Sequence, residues 1–403
     1  MTVAIIITFC ILLLIAYAFD LTSSKTKIPS VILLLLLGWA VKQLTTHFEM
    51  QLPDFSSVLP LLGTVGLILI VLEGSLELEF NRSKFKLIGK SIFGALISLV
   101  ALAFLLTYLF DYFGHFGLKN SMINAIPFCV ISSAIAIPSV RNLASKHKEF
   151  VIYESSLSDI IGVLIFNFLT LNAVINGNSF AEFSLQLLII IVISFVATIG
   201  LSFLLHKIDH HIKFIPIILI VILIYEVSKI YHLPGLIFIL LFGLFIGNLD
   251  ELRQFKWIEK FKPDELNKEV KKFRELTTEA AFLIRSLFFL LFGFLIETSE
   301  LFNTATFKWA LIIVFFIFAF RAIQLKLSKL PLQPLLFVAP RGLITILLYV
   351  SIDPSQTISL VNKSLIIQVI ILTALLMMFG LILTKTRKQH SNTTVKHDKK
   401  VQI

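Results

Sequence analysis

The sequence predicts an all-α protein that threads a membrane about thirteen times, and three observations carry that reading. Hydrophobic residues fill 57% of the 403 positions and charged residues only 15%, against about 45–50% and about 25% in ordinary soluble domains. Mean hydropathy is +0.93, so a soluble surface of this composition would expose apolar patches well beyond the few hundred Å² that soluble monomers tolerate. Apolar runs near the ~20 residues that a spanning helix needs follow one another almost end to end. The same hydrophobicity excludes a disordered chain.

In chain order the expected spans are 3–19, 29–44, 58–76, 91–110, 121–140, 151–173, 183–205, 214–231, 234–249, 277–297, 308–329, 335–351 and 364–384. The second, eighth and ninth are short or interrupted, and Pro234-Gly235 is a hinge between the last two of these. Met1 opens directly onto an apolar run, with no basic stretch or Ala-x-Ala site, so no cleaved signal peptide is expected. Cys10 and Cys129 both sit in apolar runs; they offer no disulfide framework or metal spacing and read as small hydrophobes.

The charges set a topology. Of the 35 Lys and Arg residues, 27 fall in alternate loops that include the C-terminal tail and five in the opposite loops. Basic residues concentrate on the cytoplasmic side, so the tail is expected inside and the N-terminus outside. The formal charge of +10 is therefore a topology signal with anionic membrane lipids as a by-product contact, and no nucleic acid is expected. The stretch Asp250–Glu279 holds eight basic and eight acidic residues in mixed order; the part around 265–272 reads as a surface helix between two spans. The transmembrane domain is expected to cover 1–384, with repeat halves at about 1–173 and 214–384, followed by a basic tail at 385–403. No nucleotide-binding motif appears, so any uphill movement must draw on an ion gradient.

Ionisable residues at bilayer depth are costly and mark function. Asp159, about nine residues into the sixth span, lies roughly 13 Å deep at ~1.5 Å per residue. A carboxylate there must be paired, bind a cation or take up a proton. Ser155 shares its helix face, Ser158 precedes it directly, and such hard oxygen ligands suit an alkali cation. Glu154 and Arg321 are each expensive alone and are expected to pair between helices. Arg285 is also deep, and Glu73, which closes the third span, is a further candidate for ion binding or proton coupling unless it lies at the interface. Two spans look broken: the fifth at Ser132-Ser133 and Pro138, and the twelfth at Pro340-Arg341-Gly342. A proline frees backbone groups that hydroxyls or an arginine can satisfy. Interrupted spans at matching places in two inverted-topology repeats point to a transporter's binding site.

These elements together resemble the monovalent cation:proton antiporters, the bacterial sodium–proton exchanger superfamily. Glu154-Ser-Ser-Leu-Ser-Asp159 looks like the family's Glu-Ser-x-x-Asn-Asp element, Arg321 like its eleventh-helix arginine, and Pro340-Arg341-Gly342-Leu343 like its Arg-Gly motif. Leu72-Glu73-Gly74 and the run ending at Gly293 are similar to its third-helix and tenth-helix elements. The resemblance implies a homodimer in the bacterial inner (plasma) membrane, in which a six-helix bundle moves against a dimerisation bundle. It implies that Asp159 alternately holds a monovalent cation and a proton, with Ser155 and Ser132 as further oxygen ligands beside Ser133 and Ser158, and that Glu154–Arg321 is structural. No cofactor is implied beyond the transported Na⁺ or K⁺ and H⁺. The chain departs from the pattern in two places. Ser158 stands where the family has Asn or Asp, and Ser132-Ser133 where many members have Thr-Asp-Pro, a run that looks more like the potassium-efflux branch. With one carboxylate, one-for-one electroneutral exchange is expected. The alternatives from other classes are a passive cation channel or gated potassium-efflux pathway, in which Asp159 only sets cation preference, and an intramembrane enzyme. The enzyme finds no support, since all nine histidines lie in loops, interfaces or the tail.

Overall fold

The computed structural model of the chain describes residues 2–26, 28–49, 54–78, 82–141, 143–172, 174–207, 213–251 and 263–383. Among them the structure is all helical: α1 (Thr2–Thr26), α2 (Ser30–His47), α3 (Val58–Glu77), α4 (Phe85–Gly114), α5 (Leu118–Cys129), α6 (Ser133–Ser139), α7 (Ser145–Leu171), α8 (Gly177–Lys207), α9 (Phe214–Ile230), α10 (Gly235–Gly247), α11 (Pro263–Phe294), α12 (Thr298–Leu301), α13 (Thr304–Leu327), α14 (Leu343–Val350) and α15 (Lys363–Leu383). Each of the thirteen expected spans contains helix. Among the described residues nine stretches are long and apolar enough to cross a membrane, with Leu118–Ser139 counted as one. The basic tail at 385–403 lies outside the described residues.

The helices sort into two groups by what they pack against. In one, α2 and α3 lie along α11, and α10 joins α3 to α8 and α9, with α1 on α2. In the other, α4 packs on α5, α7 and α13, α6 packs on α7, and α15 on α13. The second group contains six spans: the fourth, fifth, sixth, eleventh, twelfth and thirteenth. The groups meet mainly where α3 touches α14, α7 and α6.

Two expectations about local structure need correction. The polar stretch around 265–272 is not a separate surface helix; it is the first part of α11, continuous with the tenth span. Leu266, Val270, Phe273, Thr277 and Ala281 form a buried stripe at helical spacing that runs straight into the apolar segment, and Phe273 packs against both Phe214 and Phe242. No glycine or proline interrupts the helix between 264 and 292. The second correction concerns Pro138, which sits inside α6 rather than at the break. The chain leaves helical geometry at Val130 (φ −82°, ψ 129°) and rejoins it after Ser132 (φ −74°, ψ 113°). The proline nearer this break is Pro127, in the last turn of α5, where it removes one of that turn's hydrogen bonds.

Candidate ion-binding site at the crossed helix breaks

The sixth span can approach the fifth because its facing residues are small. Gly162 of α7 packs directly against Val130, so that any Cβ at 162 would collide with the valine side chain. One turn earlier on the same face, the Ser158 hydroxyl accepts a hydrogen bond from the Ile131 amide at 2.9 Å. That amide belongs to the broken segment and has no helical partner, so a side chain satisfies it instead.

The two breaks meet each other through the main chain: the Ser132 amide donates to the Pro340 carbonyl at 2.9 Å. The twelfth span passes from a single 3-10 turn at Leu335–Phe337 through residues 338–342 into α14. Gly342 permits this approach, because a Cβ there would lie 2.5 Å from Ile135 Cδ1 and 2.9 Å from Ser132 Oγ. Arg341 then closes the end of α5. Its Nε donates to the Phe128 carbonyl at 2.5 Å, Nη2 to the Cys129 carbonyl at 3.4 Å and Nη1 to the Ala339 carbonyl at 2.9 Å. The last carbonyls of a helix lack intrahelical donors, and in a membrane water cannot replace them. Arg341, only 3% exposed, supplies those donors, while its own amide donates to Thr373 Oγ1 of α15 at 3.1 Å.

Asp159 stands near the midpoint of α7, beside the start of α6. Its Oδ2 accepts from the Ser133 hydroxyl and from the Ser133 amide, the latter at 3.3 Å. Its Oδ1 is buried and has no hydrogen-bond partner within the protein. The residue is 2% exposed, and no cationic side chain among the described residues pairs with it. Such a group is costly unless a proton or cation neutralises it.

The structure thus brings Asp159, Ser133, Ser158, Ser132, Pro340, Arg341 and Gly342 to one crossing. Ser158 and Ser132 serve the breaks there, and Ser155 turns back to its own helix, donating to the Val151 carbonyl at 2.8 Å. Glu154 lies apart from the crossing, paired with Arg321: Nη1 to Oε1 is 2.5 Å, and both are 1% exposed. Arg321 also donates from Nε to the Leu335 carbonyl at 3.1 Å and from Nη1 to Gln324 Oε1 at 3.1 Å. Glu73 lies in the other helix group, where its Oε2 is 4.0 Å from Arg285 Nη1. Sequence reasoning found all four of these charges but joined only the first pair. The partnership of Glu73 with Arg285 and the seat of Arg341 on α5 left no signal in the order of residues.

A cavity of about 340 Å³ lies between the two groups. Thr64 and Leu67 of α3 and Tyr225 and Lys229 of α9 line one side; Ile160, Val163 and Asn167 of α7, Ile344 of α14 and Ser351 just beyond it line the other. It reaches Ile160, the neighbour of Asp159, from the face that carries the loop joining α9 to α10.

Residues 10–387 match the family model described as sodium/hydrogen exchanger, transmembrane. The fold is similar to that of the sodium proton antiporter MjNhaP1 from Methanocaldococcus jannaschii at pH 8, with a TM-score of 0.68 at 18% identity, covering 95% of this chain and 99% of that one. A second structure of the same antiporter, from an electron-microscopy map, gives a TM-score of 0.69 at 17% identity, with 95% of each chain covered. No protein of curated function matches the sequence significantly. Because the family model spans nearly the whole sequence, the chain belongs to the sodium/hydrogen exchanger family and is a multi-pass membrane transporter for cation:proton antiport, not an enzyme.

Proposed function

We propose that this antiporter carries its ions on Asp159, which holds either one monovalent cation or one proton while the six-span group moves against the other group. The observation that supports this most is the half-satisfied carboxylate. Ser133 fixes Oδ2 by two donors and leaves the buried Oδ1 free for an ion. Ser133 is the hydroxyl nearest the task of ligand, with Ser132, Ser155 and Ser158 in the surrounding shell. Glu73, paired to Arg285, has a structural or gating part rather than direct contact with the ion, and Glu154–Arg321 is structural.

A single carboxylate exchanges one charge for one charge, so exchange is electroneutral, with Na⁺ or K⁺ as the cation. Proton and cation compete for one group, so apparent cation affinity falls as pH falls. The transmembrane domain spans 1–384 in two inverted halves, and residues 385–403 form a basic tail. The charge bias between loops favours a cytoplasmic tail and an outside N-terminus in a bacterial inner membrane, where such exchange serves pH homeostasis. The exposed apolar faces of α1 and α8 are available to lipid and to a second copy in a homodimer.

The test uses purified protein in liposomes under an imposed pH gradient. Addition of Na⁺ or K⁺ is expected to dissipate the gradient, with a rate and end point independent of membrane potential. Flux that follows the potential would overturn the one-for-one model, and cation flux without proton movement would favour a passive potassium-efflux pathway.

A further inference from the structure

We propose that Asp20 and Arg141 form the gate that closes the transporter on the face opposite the cavity; this rests on the alternating movement proposed above. Arg141 follows α6 by two residues and lies at the far end of that helix from Ser133. Its Nη1 is 3.1 Å from Asp20 Oδ2. Asp20 belongs to α1, in the other helix group, and α1 is anchored there by Tyr17, which packs edge-on against Phe282 of α11 with ring centroids 6.2 Å apart. The pair therefore ties the two groups together.

Its position connects it to the ion. The seven residues of α6 span about 10 Å at ~1.5 Å per residue. One end carries the serine that holds Asp159, and the other leads to Arg141. A shift of α6 at the ion site is thus also a shift of Arg141 against Asp20. On the opposite face the cavity lies between the same two groups, which meet at its wall where Gly63 of α3 packs against Leu347. The ion pair thus ties the groups on the face away from the cavity.

The strength of the contact suits a gate. The Arg141 side chain is 44% exposed and that of Asp20 16%, and partly exposed ion pairs contribute little net stability. Such a contact can break in every cycle. The Glu154–Arg321 pair, wholly buried, cannot open without leaving uncompensated charge in the membrane. Arg285 of α11, in the same group as Asp20, adds a favourable electrostatic pull on it from farther off.

The experiment measures apparent KM for Na⁺ or K⁺ separately at each face, in vesicles of defined orientation. Asp20→Asn and Arg141→Gln are each expected to favour the state open at the gate. Apparent KM should fall at the gate face and rise at the cavity face, each by about two- to fivefold, the range a half-exposed pair allows. A merely structural role would move both faces together or lower the amount of folded protein, and either result, like unchanged sidedness, would overturn the gate. A second variant does not depend on small shifts. With Cys10 replaced by Ser, Asp20→Cys and Arg141→Cys are joined by a short bismaleimide. Exchange should drop at least tenfold relative to the same protein treated with a monofunctional maleimide, and equal rates would reject the proposal. Absence of cation-dependent proton flux in the unmodified protein would instead reject the antiport reading itself, so the two failures are distinguishable.

Discussion

Glu154 and Asp159 occupy one helix, five residues apart, and both are almost wholly buried, yet their surroundings are opposite. Glu154 faces a guanidinium that is itself held by Leu335 and Gln324. Asp159 receives two donors on one oxygen, none on the other, and no cationic side chain among the described residues. Burial alone therefore does not distinguish a working acid from a structural one. The difference lies in what remains unsatisfied: Arg321 neutralises Glu154, whereas Asp159 keeps an unpartnered oxygen, which the proposed function fills with ions that come and go.

The largest effect expected from this contrast is at Asp159. Asp159→Asn keeps the shape and can still accept from Ser133, but it can neither ionise nor hold a cation electrostatically. Cation-dependent proton flux in proteoliposomes should vanish while thermal unfolding stays close to that of the parent. Appreciable flux in this variant would erase the distinction between the two acids.

The pair should respond in stability rather than in ion handling. Removing one partner, as in Glu154→Ala or Arg321→Ala, is expected to cost about 3–5 kcal/mol by leaving a buried charge alone, whereas Glu154→Leu with Arg321→Met should be far milder. Thermal unfolding in detergent compares them, and equal damage from single and double variants would argue against pairing. Smaller again is Ser133→Ala, which removes a donor to a charged group worth about 1.5–3 kcal/mol. Apparent cation affinity at fixed pH should fall about tenfold, since ~1.4 kcal/mol corresponds to that factor. Ser158→Ala sharpens the comparison from the other side. It orphans the Ile131 amide, for about 1–3 kcal/mol of stability, and should leave cation affinity nearly unchanged. A loss of affinity matching that of Ser133→Ala would make the Ser158 hydroxyl a ligand.

Much of this arrangement was legible in the sequence because cost in a membrane is legible. Thirteen apolar runs, a 27-to-5 bias of basic residues between alternate loops, and a mid-depth carboxylate flanked by hydroxyls all follow from solvation, which depends on composition and order. The pairing of Glu154 with Arg321 could be inferred from the same economy, since two opposite charges, each costly alone within the membrane, have few other solutions. What stayed hidden depends on geometry across long separations. Nothing local shows that Glu73 finds Arg285, or that Ser133 rather than Ser132 turns its hydroxyl to Asp159. Pro138 was an attractive marker of a break because prolines interrupt helices. Here the chain breaks at Val130–Ser132 because Arg341 and Ser158 stand ready to take the freed groups, and those acceptors and donors lie on other spans. The polar stretch at 265–272 misleads for a related reason: its charges signal water, whereas its buried stripe signals continuity with the rest of α11.

The bond between the two breaks runs from one backbone to another, from the Ser132 amide to the Pro340 carbonyl. It asks almost nothing of the side chains at either position; proline at 132, which lacks the amide hydrogen, is the one residue that would delete it. A crossing written in the main chain can survive extensive drift of the residues that form it. Selection then acts on the few groups that approach it, such as the missing side chain of Gly342, while the surrounding apolar positions stay free to diverge.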